Sequence, residues 1–406
     1  MSQNETSTKI AFKLRLFDSS KTKFLLFTMN QNTGQKVGLI LSGGGARGAY
    51  QTGVLKGLAE ILPEKHVNPF KIISGVSAGA INSAKLASDI ESFSNAVEKL
   101  IFLWSQITTD QVFKADILSM NKLSFGLLGA KQKKLDSLLD TAQLLDLLNK
   151  HCNFEKIKKN LDDNVIESLI ITANNYSSGT AISFVQTSTS KLAWKDSRRL
   201  ATLAKIDAHH VMASSAIPIL FPPVKVGTQY YGDGCVRNNT PCSPAIRMGA
   251  DKIFVIGVRT QMSAEVLTRS ASDNLTQPAT SPSVVRILNA LLNAVLLDSV
   301  EQDVHRIQRI NQLVALSGKN SAKEGFKEIP ALCISPSEDI GELARHHAHH
   351  LPRLIRMTIS ALGSLDEASE ILSYLLFEPH FCRKLIEMGY NDAINSRKQI
   401  EEFFLV

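Results

Sequence analysis

The chain has 406 residues, 44% of them hydrophobic and 20% charged, with a formal net charge of +7. These are values of a globular protein able to build a large core as one big or two ordinary domains. Five cysteines, an odd number without CxxC spacing, exclude a disulfide framework or a structural zinc site and fit a reducing compartment. The basic excess suits anionic partners. Its clusters at Lys131, Lys133 and Lys134, at Lys156, Lys158 and Lys159, and at Arg198 and Arg199 are not interleaved with aromatics, which excludes a nucleic-acid platform.

Residues 1–35 are polar and read as a flexible leader. The run Phe24-Leu25-Leu26-Phe27 is too short for a signal core, and no run is long enough to span a bilayer. The expectation is a cytoplasmic or peripheral membrane location without a cleaved signal peptide or transmembrane helix, with signal-less export left open. Val37 to Leu41 is a short apolar run and predicts a buried strand. It ends at the loop Gly43-Gly44-Gly45-Ala46-Arg47-Gly48. Val54, Leu55, Leu58 and Ile61 then recur at helical spacing up to Pro63. Phe70 to Ser74 predicts a second strand. It leads into Gly75-Val76-Ser77-Ala78-Gly79 and a helix of small residues reaching Ala87.

Residues 88–165 read mostly as helix, with a less regular stretch from Lys114 to Lys134 that reads as a loop or lid. Ser168 to Ala173 and Ile182 to Gln186 predict strands, and Arg199 to Ser215 a helix. Pro218, Pro222 and Pro223 force extended backbone. Tyr230-Tyr231 leads to Gly232-Asp233-Gly234, and Ile253 to Val258 predicts a central parallel strand. Strand–helix alternation from Val37 to Val258 predicts an α/β fold with a mostly parallel sheet. Residues 261–283, rich in Ser, Thr, Ala and Pro, read as a linker or mobile loop. Residues 284–406 read as a helical region packed on the core, with a long apolar pattern from Ser283 to Leu313. Covering one face of the core, or a dimer or membrane-surface contact, are its other readings.

Gly75-Val76-Ser77-Ala78-Gly79 has the form of a nucleophile elbow, a serine on a tight strand-to-helix turn between glycines. A serine hydroxyl needs a neighbour that takes its proton. In the first loop, the successive N–H groups of Gly44, Gly45 and Ala46 can converge on the oxyanion of an attacked carbonyl. Arg47 either pins this loop or adds positive potential. Gly43 to Gly48 also fits a dinucleotide fingerprint, but the second strand ends without the carboxylate that such a site needs. The base stays open at this point. None of the ten histidines sits in a turn motif, and His346-His347-Ala348-His349-His350 reads as a polar patch rather than a metal site. Asp233, between Gly232 and Gly234, is a carboxylate that can approach another backbone closely; a plain turn aspartate is the alternative.

Taken together, Gly43 to Gly48, Gly75 to Gly79, Asp233-Gly234 and the stretch Ala213-Ser214-Ser215-Ala216-Ile217-Pro218 with Phe221-Pro222-Pro223 resemble the patatin-like phospholipase family. The resemblance covers Val37 to Val258. It implies a three-layer α/β/α fold over a catalytic domain at 36–260, and a Ser–Asp dyad that works without histidine. By it Ser77 attacks the ester, Asp233 is the base, Gly44, Gly45 and Ala46 hold the oxyanion, and Gly43, Gly48, Gly75, Gly79 and Gly234 are motif glycines. It implies a lipid acyl hydrolase with no metal or organic cofactor, a phospholipid or other lipid ester as substrate, and peripheral contact with an anionic membrane surface. Oligomeric state is left open. A non-catalytic lipid-binding scaffold and a Ser-His-Asp esterase of small esters are the alternatives. One departure stands out: Cys235 follows Asp233-Gly234 where the family has glycine or alanine.

Overall fold

The computed structural model describes residues 34–115, 137–189, 194–196, 198–260, 281–296, 299–317 and 327–405. All but the last residues of the leader and of the linker, and most of the irregular 114–134 stretch, lie outside them. Two core clusters divide β1 (Val37–Leu41) by alternation: Leu39 and Leu41 belong to one, Ile40 to the other. The same division runs through β11 (Lys252–Ile256), with Phe254 and Ile256 against Ile253 and Val255. A sheet buried on both faces needs cover on both, and the helices supply it.

In chain order, β1 leads through a 3-10 turn (Gly45–Arg47) into α1 (Gly48–Ile61), then β2 (Ile72–Val76), α2 (Ala78–Asp89), α3 (Phe93–Gln106) and α4 (Thr109–Val112). A two-stranded ribbon, β3 (Lys114–Ala115) with β4 (Leu139–Asp140), precedes α5 (Ala142–His151) and α6 (Phe154–Asp162). The long strands β5 (Ser168–Asn175) and β6 (Thr180–Thr187) follow, then β7 (Lys195–Asp196), β8 (Arg199–Leu203) and α7 (Ala208–Ser214). Next come β9 (Val224–Val226), β10 (Gln229–Asp233), α8 (Ser243–Arg247) and β11. The remainder contains α9 (Val284–Leu296), α10 (Ser299–Ser317), β12 (Ala331–Ile334), α11 (Ile340–His347), α12 (Arg353–Leu362), α13 (Ser369–Leu375), α14 (Pro379–Asn395) and α15 (Arg397–Leu405).

The main sheet runs β12-β11-β1-β2-β5-β6-β8-β7, with β10 and β9 joined to β5. From β12 to β5 every pairing is parallel; β6 turns back on β5, and β8 is again parallel to β6. The fold is a mostly parallel central sheet with helices on its two faces, in line with the expected α/β/α architecture.

Two elements differ from their sequence reading. Arg199 to Ser215 is not one helix: Arg199–Leu203 is a strand that extends the sheet beyond β6, and only Ala208–Ser214 is helical. Ala201 enters the second core from that strand, a tertiary contact that outweighs local helical preference. The region after 283 also contributes β12, the strand on the far side of β11. The apolar pattern from Ser283 to Leu313 falls on two helices, Val284–Leu296 and Ser299–Ser317.

The C-terminal helices are wedded to the core. α14 lies so close to α1 that a Cβ on Gly53 would collide with the Ile386 carbonyl, and one on Gly389 with the Tyr50 carbonyl. Tyr50 hydroxyl donates to Asp392 Oδ2 over 3.0 Å in this interface. Phe404 of α15 meets the edge of Phe70, with ring centres 6.0 Å apart. None of the described helices is long and apolar enough to cross a membrane.

Candidate active site

The site follows from where two strands end. β2 pairs with the first part of β5, its last residue Val76 opposite Thr172. β10 enters the same side of β5 from the other direction, with Tyr231 opposite Asn175 and its last residue Asp233 opposite Ala173. The strands therefore meet head-on beside β5, their C-terminal ends one β5 position apart. Ser77 is the residue after β2 and Asp233 the end of β10, so pairing register alone brings them together across 156 positions of sequence.

Ser77 has φ 54° and ψ −125°, a conformation strained for any side chain but glycine. Such strain persists only where surroundings hold it. The Ser77 N–H donates to Ser214 Oγ at 3.0 Å, and Ser215 Oγ donates to the Ser77 carbonyl at 3.1 Å. Ser214 Oγ in turn donates to the Thr172 carbonyl at 2.6 Å, where β2 has run out. The Asp233 N–H donates to the Ala216 carbonyl at 2.8 Å. The stretch Ser214-Ser215-Ala216 thus clamps nucleophile and carboxylate at once. Sequence reasoning noted this stretch as part of a motif but assigned it no role; serine and alanine carry no signal of such contacts until the strands are in place.

Asp233 is 0% and Ser77 4% exposed, so bulk water does not solvate the pair. Asp233 Oδ1 accepts from the Cys235 N–H at 2.8 Å, while Oδ2 is buried with no hydrogen-bond partner. Burial pushes the carboxyl up to about 6; the Ser77 hydroxyl and Cys235 act against that rise. Ser77 is thus close enough to act on the carboxyl, yet no formed hydrogen bond occupies Oδ2. Long contacts of this kind are common in substrate-free catalytic sites. No histidine is among the groups acting on Asp233. His210 is instead a capping residue, its Nδ1 2.7 Å from Asp207. His347, His349, His350 and His380 stack on one another in the C-terminal region, and no metal-holding cluster occurs among the described residues.

The glycine-rich loop closes the third side. Gly43 is where the motifs touch: a Cβ there would lie 2.9 Å from Ser77 Cβ and collide with Cys235 Sγ. Gly45 has φ +58° and leaves no space for a side chain beside the Tyr374 carbonyl. Among the described residues, the N–H groups of Gly44, Gly45 and Ala46 have no hydrogen-bond partner. Ser42, Gln51, Asn82 and Trp104 brace this loop from below. Gln51 Nε2 donates to the Ser42 carbonyl at 2.8 Å, Asn82 Nδ2 to the Gly48 carbonyl at 2.9 Å, and Trp104 Nε1 to Asn82 Oδ1 at 2.6 Å. A Cβ on Gly75 would collide with the Gly79 carbonyl and one on Gly79 with the Leu41 carbonyl, and Gly234 presses on the Thr172 carbonyl and Val76.

Arg47 turns away from the elbow. Its Nε donates to Ser373 Oγ at 2.7 Å, its Nη1 to the Val258 carbonyl at 3.2 Å and its Nη2 to Glu370, and its guanidinium lies 5.4 Å from the centre of the Tyr374 ring. These bonds tie the loop to α13, more than 300 positions along the chain. Cys235 is buried in a 3-10 turn, Gly234–Val236, and burial pushes its thiol well above the ordinary range, so it packs as a neutral group.

A model of the patatin-like phospholipase family matches residues 39–246. Over 58 residues, 14% of this chain, the sequence is 48% identical to lysophospholipase nte1 of Aspergillus terreus. That stretch is 4% of the relative's length, so the chain corresponds to a small part of it. Among solved structures, the fold is similar to human GIVD cytosolic phospholipase A2, at 12% identity over 95% of this chain and 63% of that one, with a TM-score of 0.41. VipD from Legionella pneumophila is 14% identical over 90% of this chain and 67% of that chain, with a TM-score of 0.35. The family match spans just over half of the sequence and takes in both the glycine-rich loop and the serine elbow: the chain belongs to the patatin-like phospholipase family.

Proposed function

We propose that this protein is a lipid acyl hydrolase that cleaves fatty-acyl esters with a Ser77–Asp233 dyad. The observation that carries the reading is the head-on meeting of β2 and β10, which sets a strained, buried serine beside a buried carboxylate whose free oxygen has no other partner. Family membership supports the lipid ester as substrate class.

The reaction runs as acyl transfer in two halves. Ser77 Oγ attacks the ester carbonyl while its proton passes to Asp233 Oδ2. The carbonyl oxygen becomes an oxyanion facing the free N–H groups of Gly44, Gly45 and Ala46. Collapse expels the alcohol half of the lipid, which leaves with the proton from Asp233. Water then gives a proton to Asp233, attacks the acyl-serine and releases the fatty acid, and Ser77 recovers its proton. A carboxyl held near 6 suits this exchange, since the group must both take and return a proton near neutral pH.

Contact with a lipid surface has its own support. On α9, Val284, Ile287, Leu291 and Val295 form one exposed stripe, while Val285, Leu288 and Leu292 pack inward. The helix lies against the turn Gly234–Val236 that follows Asp233, so the apolar stripe flanks the site. With the basic excess of +7 it favours an anionic membrane surface.

The test is fatty-acid release from mixed phospholipid vesicles, comparing the protein with Ser77→Ala. Release by the first and not the second is the expected result. Equal release by both would end the serine-hydrolase reading.

A further inference from the structure

Tyr374 is a residue of the C-terminal helix α13 that the dyad does not use. Its main chain is pressed against Gly45, whose Cβ would collide with the Tyr374 carbonyl. Its ring is held under the Arg47 guanidinium, 5.4 Å from ring centre to Cζ. The residue is 1% exposed, and its hydroxyl is fully buried without a hydrogen-bond partner. A buried donor left unsatisfied destabilises a fold, so its presence calls for an explanation.

Its surroundings point to one. The groups acting on the phenol, after burial itself, are Arg47, Cys235, Glu370 and Asp233. Burial pushes it well above its ordinary range, so it keeps its proton and has a donor to offer. Asp233, one of those groups, carries an orphan of its own, the acceptor Oδ2. Donor and acceptor lie in the same buried neighbourhood without bonding each other. One molecule placed between the loop and Ser77 would satisfy both: Ser77 hydroxyl to Oδ2, and Tyr374 hydroxyl to an oxygen of that molecule.

Resting on the acyl-hydrolase reading above, we propose that Tyr374 is a catalytic residue. Its hydroxyl donates a hydrogen bond to the substrate oxygen received by the Gly44–Ala46 backbone, so that the C-terminal region completes the oxyanion site. Its proton stays on the phenol throughout, and the bond strengthens as the oxygen gains charge.

Tyr374→Phe tests this, measured in the full chain by ester turnover, melting temperature and the rate at which an alkyl fluorophosphonate labels Ser77. The expected variant melts at or above the temperature of the parent, because an orphan hydroxyl has gone. Its kcat falls by about 10²-fold with KM changed less than about threefold, the pattern of a lost transition-state donor. Labelling slows in parallel, and the acid limb of the pH profile stays near 6. Unchanged kcat and labelling with raised stability would make Tyr374 a packing residue and overturn the inference. A displaced acid limb would show it acting through Asp233, and would overturn it too. Labelling equal in the parent and in Ser77→Ala would remove the hydrolase reading itself, a failure distinct from that of Tyr374.

Discussion

Ser77 and Arg47 both stand at the first residues of a helix, yet the chain secures them in opposite ways. Ser77 sits between β2 and α2, and its turn is made by neighbours within two positions, Gly75 and Gly79. Its clamp, Ser214 and Ser215, lies 137 and 138 positions on but still inside the 39–246 family match. Arg47 is held from α13, by Ser373, Glu370 and the ring of Tyr374. The nucleophile therefore depends on its own turn and on residues inside the 39–246 family match, while the loop facing it depends on a region outside that match. Damage to the elbow should stop chemistry and spare the fold; damage to the Arg47 anchor should do more to stability.

The sharpest separation comes from the dyad. Ser77→Ala and Asp233→Asn are each expected to lower turnover by at least ~10³-fold while far-UV circular dichroism stays that of the parent. Near-normal activity in Asp233→Asn would break the comparison at its first term. On the other side, Arg47→Ala leaves Glu370 without its partner in a largely buried setting, which is expected to destabilise by about 3 kcal/mol. Urea unfolding measures it. A loss below about 1 kcal/mol would show that α13 does not hold the loop.

Between the two regions lies Gly43. Gly43→Ala is expected to reduce kcat by about 10²-fold, because the added methyl pushes on Ser77 Cβ and Cys235 Sγ. Combining it with Cys235→Ala removes the sulfur and should recover part of the loss. Absence of recovery would assign the damage to Ser77 alone.

The smallest effects are those of pH. Asp233 acts as base when ionised, so kcat/KM should fall tenfold per pH unit below an inflection near 6. For stability the sign is opposite. Its folded pKa is raised, so its contribution is fullest below about 3.8 and is lost as pH rises through about 6. Asp233→Asn is accordingly expected to be more stable than the parent at pH 8, by at most about 3 kcal/mol. Equal stabilities at pH 8 would show the carboxylate to be better solvated than its burial implies.

Much of the region from Val37 to Val258 was legible as sequence. The apolar runs of β1 and β11 gave buried parallel strands, and the glycines around Ser77 and before Arg47 marked the two turns. Asp233 was legible only as a carboxylate among glycines. What made it a partner for Ser77 is the register of β10 on β5, since pairing is decided by the whole sheet and not by residues near either end. The same limit explains Arg199–Leu203, a strand in spite of its helical look, because β6 offered it an edge.

The turn chemistry needed no tertiary information: φ beyond the reach of ordinary side chains and close backbone approach require glycine wherever they occur, and that requirement is written residue by residue. The burial of Asp233, the free Oδ2, the anchoring of Arg47 and the placing of Tyr374 came only with the tertiary structure. They depend on which distant surfaces exclude water together, and a side chain's solvation is a property of the packed neighbourhood rather than of its position in the chain.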